Sequence, residues 1–301
     1  MHDVLIIGAG PAGITAAIYC ARVKLHTLVL SKNLGGQAAL SGAIENYSGY
    51  QMITGMELAR KFHEHLHEFK EIEHHDAPEE VRSVEKSAKG FVVKTDVAEY
   101  ETRAVIVCSG AKARELGVKG ETEFRNRGVS YCAACDAPVF KNKRVAVIGG
   151  GNSALDASLQ LSKHAKKVFV LTSNPKLEGD ALLKQKVLAN AGIEVVYGAR
   201  TAAIRGSKFV EAIDYVVGSK GKTLALQGIF VEIGWVPATG FLDSAKKNGK
   251  GEITVNSACE TGVAGLFAAG DCTDSPEKQI IVAAGMGATA ALSAIKYLQR
   301  K

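Results

Sequence analysis

The sequence predicts an α/β protein made of two Rossmann-like domains of the three-layer ββα kind, the first of which is discontinuous. Three observations predict this fold. A glycine-rich turn follows an apolar strand at the start of the chain, a second such turn occurs near the middle, and a strand near the end runs into a Gly-Asp turn. Glycine-rich turns of this kind are typical of βαβ units that bind a dinucleotide.

The first turn lies in VLIIGAGPAG and contains Gly8, Gly10 and Gly13, followed by a helical pattern over 14–21. The first glycine permits the turn, the second lets a pyrophosphate approach the backbone, and the third allows helix and strand to pack closely. The N-terminus of the helix then faces the phosphates. The turn therefore predicts a dinucleotide site in the first domain.

The second turn, in VAVIGGGNSA, repeats this pattern with Gly149, Gly151 and Ala154. The late segment GLFAAGD predicts a strand that returns to the first domain, which makes that domain discontinuous. The expected boundaries are 1–113 with 246–301 for the first domain and 114–245 for the second, whose turn is like that of an NAD(P)-binding unit.

The composition is that of a globular protein long enough for two domains, with 301 residues, 47% hydrophobic and 23% charged. The formal charge is +6, but no run of five or more Lys or Arg indicates nucleic-acid binding. The uncharged stretch 4–21 is interrupted by glycines and Pro11, which favours strand, turn and helix over a membrane span. No secretory pattern begins the sequence, so we expect a cytoplasmic protein without nucleic-acid or membrane partners.

Two cysteines in SYCAACDAPVF, Cys132 and Cys135, form a Cys-x-x-Cys pair followed by Asp136. A structural zinc site needs four ligands, and the other cysteines, at 20, 108, 259 and 272, are all single in sequence. In the cytoplasm the pair is more typical of redox chemistry, in which one thiolate attacks a partner disulfide and the other resolves the mixed disulfide. We therefore expect a redox pair and no metal ligands, with the four single cysteines buried.

The two glycine motifs, GGQ at 35–37, ENY at 45–47, YCAACD and GLFAAGD together resemble the low-molecular-weight thioredoxin reductases. The flavoprotein part of alkyl hydroperoxide reductase is a close relative of these enzymes. The resemblance runs over essentially the whole length. It implies FAD on the first domain, a homodimer, and a redox-active Cys-x-x-Cys on the second domain.

Carried over by position, the resemblance also implies which residues bind FAD. These are Gly8, Gly10 and Gly13 at the pyrophosphate, Gln37 and Asn46 near the flavin, Asp271 at the ribityl hydroxyls, and Gln279 near the ring where the last helix begins. It further implies that Cys135 faces the flavin and that Cys132 attacks thioredoxin. Asp136 would protonate a leaving thiolate, a role compatible with capping a helix.

The second domain lacks the residues that recognise a nicotinamide coenzyme in this family. By the spacing of the repeat, Thr172 closes the second strand, where an acid binds the ribose of NAD or arginines bind the 2′-phosphate of NADP. NADPH-dependent members carry His-Arg-Arg-x-x-x-Arg here, whereas this chain continues from Thr172 to Glu178 without an arginine. Ser31 is the equivalent residue of the first domain, where FAD binds through many other contacts.

We therefore expect an FAD-dependent disulfide oxidoreductase that reduces thioredoxin and takes electrons from ferredoxin rather than NADPH. The basic bias between Lys112 and Arg144 agrees with an acidic donor. Three alternatives stay open: use of NADH or NADPH through other contacts, a flavin reductase of a peroxidase system, and a non-catalytic FAD-binding regulatory protein. Because the cysteines must face flavin and thioredoxin in turn, we expect the second domain to swing about connections near 113–120 and 240–248.

One further motif, HEHLH at 63–67, matches the H-E-x-x-H pattern of zinc proteases, and Glu73, His74 and His75 follow it. An apolar stripe at helical spacing turns these histidines mostly toward solvent. The stripe consists of Leu58, Phe62, Leu66 and Phe69. We expect a structural surface helix without a catalytic role, with adventitious metal binding as the alternative.

Overall fold

The computed structural model describes residues 1–41, 44–75 and 77–300. Its strands are β1 (His2–Ala9), β2 (Thr27–Leu34), β3 (Ile72–His74), β4 (Val81–Ser87), β5 (Gly90–Thr95), β6 (Glu99–Val107), β7 (Ala111–Ala113), β8 (Val129–Ser130), β9 (Arg144–Ile148), β10 (Lys167–Leu171), β11 (Ile193–Val196), β12 (Ala199–Gly206), β13 (Val210–Val217), β14 (Lys220–Ala225), β15 (Gly228–Val231), β16 (Trp235–Pro237) and β17 (Leu266–Ala268). Its α-helices are α1 (Pro11–Arg22), α2 (Gly55–His67), α3 (Ala133–Asp136), α4 (Asn152–Ser162), α5 (Ala181–Ala189) and α6 (Ile280–Gln299), and short 3₁₀ helices span Gly36–Leu40 and Ala137–Phe140.

The chain divides into two compact units. The first comprises Met1–Lys112 and Val236–Lys301, and the second comprises Ala113–Trp235. The chain therefore returns to the first unit within β16, earlier than the expected residue 246. The reason is packing, since Leu242 and Ala245 are buried in the same hydrophobic core as Leu5 of β1.

The first unit is built on a sheet of order β3-β2-β1-β6-β5-β4, with β17 also paired to β6. Strands β3, β2, β1, β6 and β17 are parallel, whereas β4, β5 and the first half of β6 form an antiparallel meander. Val4 and Ile6 of β1 pack in the core that contains α1 and α6. Leu5 and Ile7 pack on the other face with the meander, so the central strand is buried on both sides, as parallel sheets require.

The second unit repeats this plan. Its parallel sheet has the order β11-β10-β9-β15-β8, and its meander has the order β12-β13-β14. Val145 and Val147 of β9 pack against α4, whereas Ala146 and Ile148 pack against the meander. Two three-layer ββα units therefore confirm the predicted fold class.

Helix α6 is, among the described residues, the one helix long and apolar enough to span a membrane by composition, with a mean hydropathy of 1.5. Its small residues are nevertheless fitted to α1. A Cβ at Gly287 would lie 2.1 Å from the carbonyl oxygen of Ala12, and Ala290, Ala291 and Ala294 are fully buried. This close approach makes α6 a core helix of the first unit.

Candidate active site

The first glycine turn has the geometry that a dinucleotide requires. Gly8 has φ of +110°, and a Cβ there would lie 2.3 Å from the carbonyl oxygen of Cys108. A Cβ on Gly13 would lie 1.8 Å from the carbonyl oxygen of Gly8, so α1 packs on β1 only without it. Gly10 precedes α1, whose first turn has neither a side-chain cap nor an acidic residue. The first N–H groups of α1 are therefore available to an anionic group.

Four predicted cofactor residues come together in two hydrogen-bonded pairs, although they are far apart in sequence. Gln37 donates from Nε2 to Oδ2 of Asp271 at 3.3 Å. Asn46 donates from Nδ2 to Oε1 of Gln279 at 3.0 Å. Burial raises the pKa of Asp271, although Lys278 and the bond from Gln37 oppose this. Asp271 is thus a half-buried carboxylate with capacity for further hydrogen bonds, three residues after the end of β17.

The cysteine pair forms a disulfide between Cys132 and Cys135, with a sulfur–sulfur distance of 2.14 Å. Cys132 caps α3, since its Sγ accepts a hydrogen bond from the N–H of Cys135 at 3.1 Å. Its own N–H donates to Oγ of Ser130 at 3.0 Å. Cys135 is exposed, and Cys132 and Asp136 are half-buried. The pair is therefore oxidised, able to accept two electrons, and Cys135 is its more exposed residue.

A buried carboxylate anchors the backbone just before the pair. Glu121 is 2% exposed and accepts hydrogen bonds from the N–H groups of residues 116–117 at 2.8 and 2.7 Å. It also accepts one from the Tyr131 hydroxyl at 2.8 Å, while Arg125 stacks over the Tyr131 ring at 5.0 Å. Burial, together with the bond to Glu121, raises the pKa of Tyr131 to about 12. This network fixes the residue that precedes Cys132, and the sequence alone gave no sign of it.

The second glycine turn keeps the backbone geometry of the first. Gly149 has φ of +141° and a Cβ there would lie 2.2 Å from the carbonyl oxygen of Glu232. Thr172, directly after β10, is 2% exposed, and its Oγ1 accepts a hydrogen bond from the N–H of Asn174 at 3.2 Å. The segment then folds back, because the N–H of Glu178 donates to the Gly150 carbonyl at 2.8 Å. The residue at the predicted ribose-binding position is thus Thr172, whose buried hydroxyl already accepts a hydrogen bond within the fold.

Carboxylates lie around this second turn. Asp180 accepts a hydrogen bond from Nδ2 of Asn152, the first residue of α4, at 3.1 Å. Burial and the charge of Asp156 raise the pKa of Glu232, which follows β15, to about 8. A pyrophosphate at this turn would meet the negative charge of Asp180, whereas Glu232, with its raised pKa, is mostly neutral at pH 7. Sequence reasoning missed Glu232. The signal was a charge directly after the apolar strand, at the carboxyl edge of a parallel sheet, where ligands bind.

Comparison with known proteins gives the family. A family model described as pyridine nucleotide-disulphide oxidoreductase matches residues 2–287. The chain belongs to this family. A protein of Bacillus subtilis (strain 168) named NADH dehydrogenase is 42% identical over 301 residues, which cover 99% of this chain and 59% of that protein. The chain therefore spans about three fifths of the length of this curated relative.

Two solved structures extend the family comparison. The thioredoxin reductase of Lactococcus lactis has a TM-score of 0.92 at 34% identity and covers 100% of both chains. A ferredoxin-flavin thioredoxin reductase of Clostridium acetobutylicum has a TM-score of 0.54 at 32% identity, covering 100% of this chain and 99% of the other. These similarities agree with the two-unit fold and confirm the predicted class, that of flavoprotein disulfide oxidoreductases.

FAD is the cofactor of this family's thioredoxin reductases, and the family therefore confirms the predicted cofactor. The residues of the first unit fit it. Both α1 and α6 begin without a side-chain cap or an acidic residue in the first turn. Around Gly10 the backbone is bare, since the nearest atom to a Cβ there would be Cα of Gly36 at 3.9 Å. The remaining cysteines are free and buried, as predicted.

Proposed function

We propose that this chain is an FAD-dependent disulfide oxidoreductase that reduces thioredoxin through Cys132 and Cys135, with a ferredoxin as its electron donor. The observation that carries the proposal is the disulfide between these two cysteines. It caps a short helix and is accessible at Cys135. A zinc clamp does not require such a bond, and a non-catalytic FAD-binding protein has no use for it.

The first unit holds the cofactor in this proposal. The N-terminus of α1, with Gly8, Gly10 and Gly13, binds the pyrophosphate. Asp271, held by Gln37, binds the ribityl hydroxyls, and the linked pair of Asn46 and Gln279 lies at the flavin end. When bound, FAD supplies a carrier that accepts electrons from the donor and passes a pair to the disulfide.

The cysteines then carry out thiol–disulfide exchange. Two electrons and two protons convert the disulfide into two thiols. Cys132 gives its proton to Asp136 and attacks, as a thiolate, one sulfur of the thioredoxin disulfide. The other sulfur leaves as a thiolate and takes that proton from Asp136. Cys135 attacks the mixed disulfide, releases reduced thioredoxin and re-forms the bond to Cys132. In the oxidised pair the N–H of Cys135 donates to Sγ of Cys132, which places a hydrogen-bond donor at the sulfur assigned to the attack.

The choice of ferredoxin rests on the second glycine turn and on surface charge. The buried Thr172 and the carboxylate of Asp180 disfavour a phosphorylated coenzyme at this turn. Exposed cations occupy the segment around the cysteines: Arg114, Lys119, Arg125, Arg127, Lys141 and Lys143. Glu121 lies in the same segment but is buried, whereas exposed Glu115, which pairs with Arg125, and exposed Glu123 offset two of these six charges. The resulting positive surface complements an acidic iron–sulfur protein. The similarity to the Clostridium ferredoxin-flavin enzyme points the same way.

A second candidate donor is NADH. The specific observation in its favour is the higher identity to the Bacillus protein, whose name assigns it NADH. In that case, contacts other than an acid at Thr172 would hold the ribose. Thioredoxin as substrate, a homodimer and a cytoplasmic location remain predictions under either donor.

An anaerobic titration of the FAD-loaded protein tests the donor. Absorbance of the flavin is followed while NADPH, NADH or reduced ferredoxin is added. We expect bleaching by ferredoxin at stoichiometric amounts and none by micromolar NADPH or NADH. Rapid bleaching by NADH would refute the ferredoxin donor and leave the disulfide chemistry intact. A Cys135→Ser variant that still reduces thioredoxin would refute the disulfide chemistry itself.

A further inference from the structure

Three histidines of the first unit converge at one point. His63 and His67 lie on the last turn of α2, and His74 is the last residue of β3. One ring nitrogen from each lies within 4.8 Å of the others. We call these residues the three-histidine cluster. The sequence offered two histidines at helical spacing, and the fold adds the third from a different element.

Elementary geometry explains why the three side chains meet. Residues four apart on a helix share a face, which brings His63 and His67 together. Side chains alternate along a strand, so neighbouring residues of β3 point to opposite sides. Glu73 bonds to His2 at 3.0 Å and to His75 at 3.1 Å, and His74 accordingly points the other way, toward α2.

The cluster has the ligand chemistry of a transition-metal site. Nε2 of His63 and Nε2 of His67 are 2.7 Å apart. Zinc–nitrogen bonds are about 2.0–2.1 Å long, so two ligand nitrogens of a tetrahedral site lie roughly 3.3 Å apart. Small side-chain rotations therefore suffice to open this pair around an ion and to bring His74 in. The C-terminal end of α2 also favours a positive charge.

We propose that His63, His67 and His74 bind one divalent first-row transition ion, of which Zn²⁺ is the representative. Three imidazole nitrogens suit such an ion, whereas Mg²⁺ and Ca²⁺ prefer oxygen ligands. His63 and His74 are half-buried and His67 is exposed, which leaves a solvent-facing fourth position for water. The bound ion joins α2 to the edge strand β3.

The H-E-x-x-H match does not make this a protease site. In that mechanism the Glu acts as the general base beside the ion. Here Glu64 is exposed and paired with Arg60 at 2.5 Å. The expectation of a non-catalytic helix therefore stands, and the metal-binding alternative becomes the proposal. Ser31, within β2, approaches Nε2 of His74 at 3.4 Å, so the cluster borders the residue that is the equivalent of Thr172 in the first unit.

The test is calorimetric titration of Zn²⁺ into the FAD-loaded protein, with the Cys132–Cys135 disulfide kept oxidised so that its sulfurs do not bind the ion. We expect one ion per chain. His67→Ala and His74→Ala are each expected to weaken binding by at least about 100-fold, since even loss of a second-shell partner costs 10–100-fold. His65→Ala, on the same helix, is the matched control and is expected to leave binding unchanged. Co²⁺ binding at the same stoichiometry, with visible bands of a nitrogen-ligated ion and no thiolate absorption, is the second readout.

A rival group provides the opposing outcome. His2, His26 and Glu73 also bring ligand atoms within 4.8 Å of one another. If His26→Ala abolishes Zn²⁺ binding while His67→Ala does not, the ion binds there and the proposal is overturned. Equal affinity in wild type and His67→Ala also overturns it. Because His67 is exposed, its alanine variant is expected to fold and retain FAD. Saturating Zn²⁺ is expected to raise the Tm of the wild type and of His65→Ala but not that of His67→Ala.

Discussion

Replacing Glu232 with glutamine is expected to stabilise the protein by an amount that grows as the pH rises. Glu232 follows β15 in the second unit, where burial and the charge of Asp156 raise its pKa from 4.5 to about 8. The folded state therefore disfavours the ionised carboxyl, which the unfolded chain ionises freely. Glutamine keeps the shape of the neutral acid and removes the charge.

The magnitude follows from the shift. One pKa unit corresponds to about 1.4 kcal/mol. Because the folded pKa lies above the unfolded one, the stability contributed by neutral Glu232 is fully present below pH 4.5 and is lost as the pH rises to about 8. Between about pH 5 and pH 8 the wild type should thus lose roughly 3 kcal/mol of unfolding free energy at this residue. Glu232→Gln should not show this loss.

The assay is urea unfolding of the FAD-loaded protein at both pH values. Fluorescence of Trp235, which belongs to the same unit as Glu232, reports the transition. Glu178→Gln makes the same chemical change at an exposed carboxylate of that unit and is expected to alter stability by less than about 0.5 kcal/mol. If Glu232→Gln and wild type respond equally to pH, Glu232 is not desolvated and its pKa is not raised in the folded state.

Three further predictions concern the active site. Cys135→Ser should trap a mixed disulfide with thioredoxin through Cys132, visible on a non-reducing gel; trapping by Cys132→Ser instead would reverse the assigned roles. Gly13→Ala should yield protein without bound flavin, because its Cβ would lie 1.8 Å from a backbone oxygen; a yellow variant with normal absorbance contradicts this. Tyr131→Phe should cost about 1–2 kcal/mol in urea unfolding, because buried Glu121 loses a donor; an unchanged midpoint would show that water replaces the hydroxyl.

Features carried by short local sequence were predictable. A glycine at positive φ, such as Gly8 or Gly149, leaves a signal within a few residues because other side chains are strained there. The Cys-x-x-Cys pair is likewise local. The domain boundary has no local sequence signal. It is set where Leu242 and Ala245 pack against strands from the start of the chain, so that the chain re-enters the first unit.

Features that depend on which strands lie side by side could not be predicted from the sequence. His74 joins α2 only because β3 pairs with β2 at the edge of the sheet. In the sequence Glu121 looks like a surface charge. Only the fold brings the N–H groups of residues 116–117 to its carboxylate. The raised pKa of Glu232 needs both burial and the neighbouring Asp156. Each of these features is a contact between different parts of the chain. No single segment indicates that these parts will be neighbours in the fold.

The two glycine turns share a backbone geometry and differ in the groups that surround them. Helix α4 also begins without a side-chain cap, yet Asp180 supplies a carboxylate to its first residue. The second unit provides a rigid support for the two cysteines. Ala133, Ala137 and Phe140 are buried in one core with Leu155 of α4. The close helix–strand packing that holds α4 in place depends on the glycines of this turn, so they serve this support whether or not a coenzyme binds there.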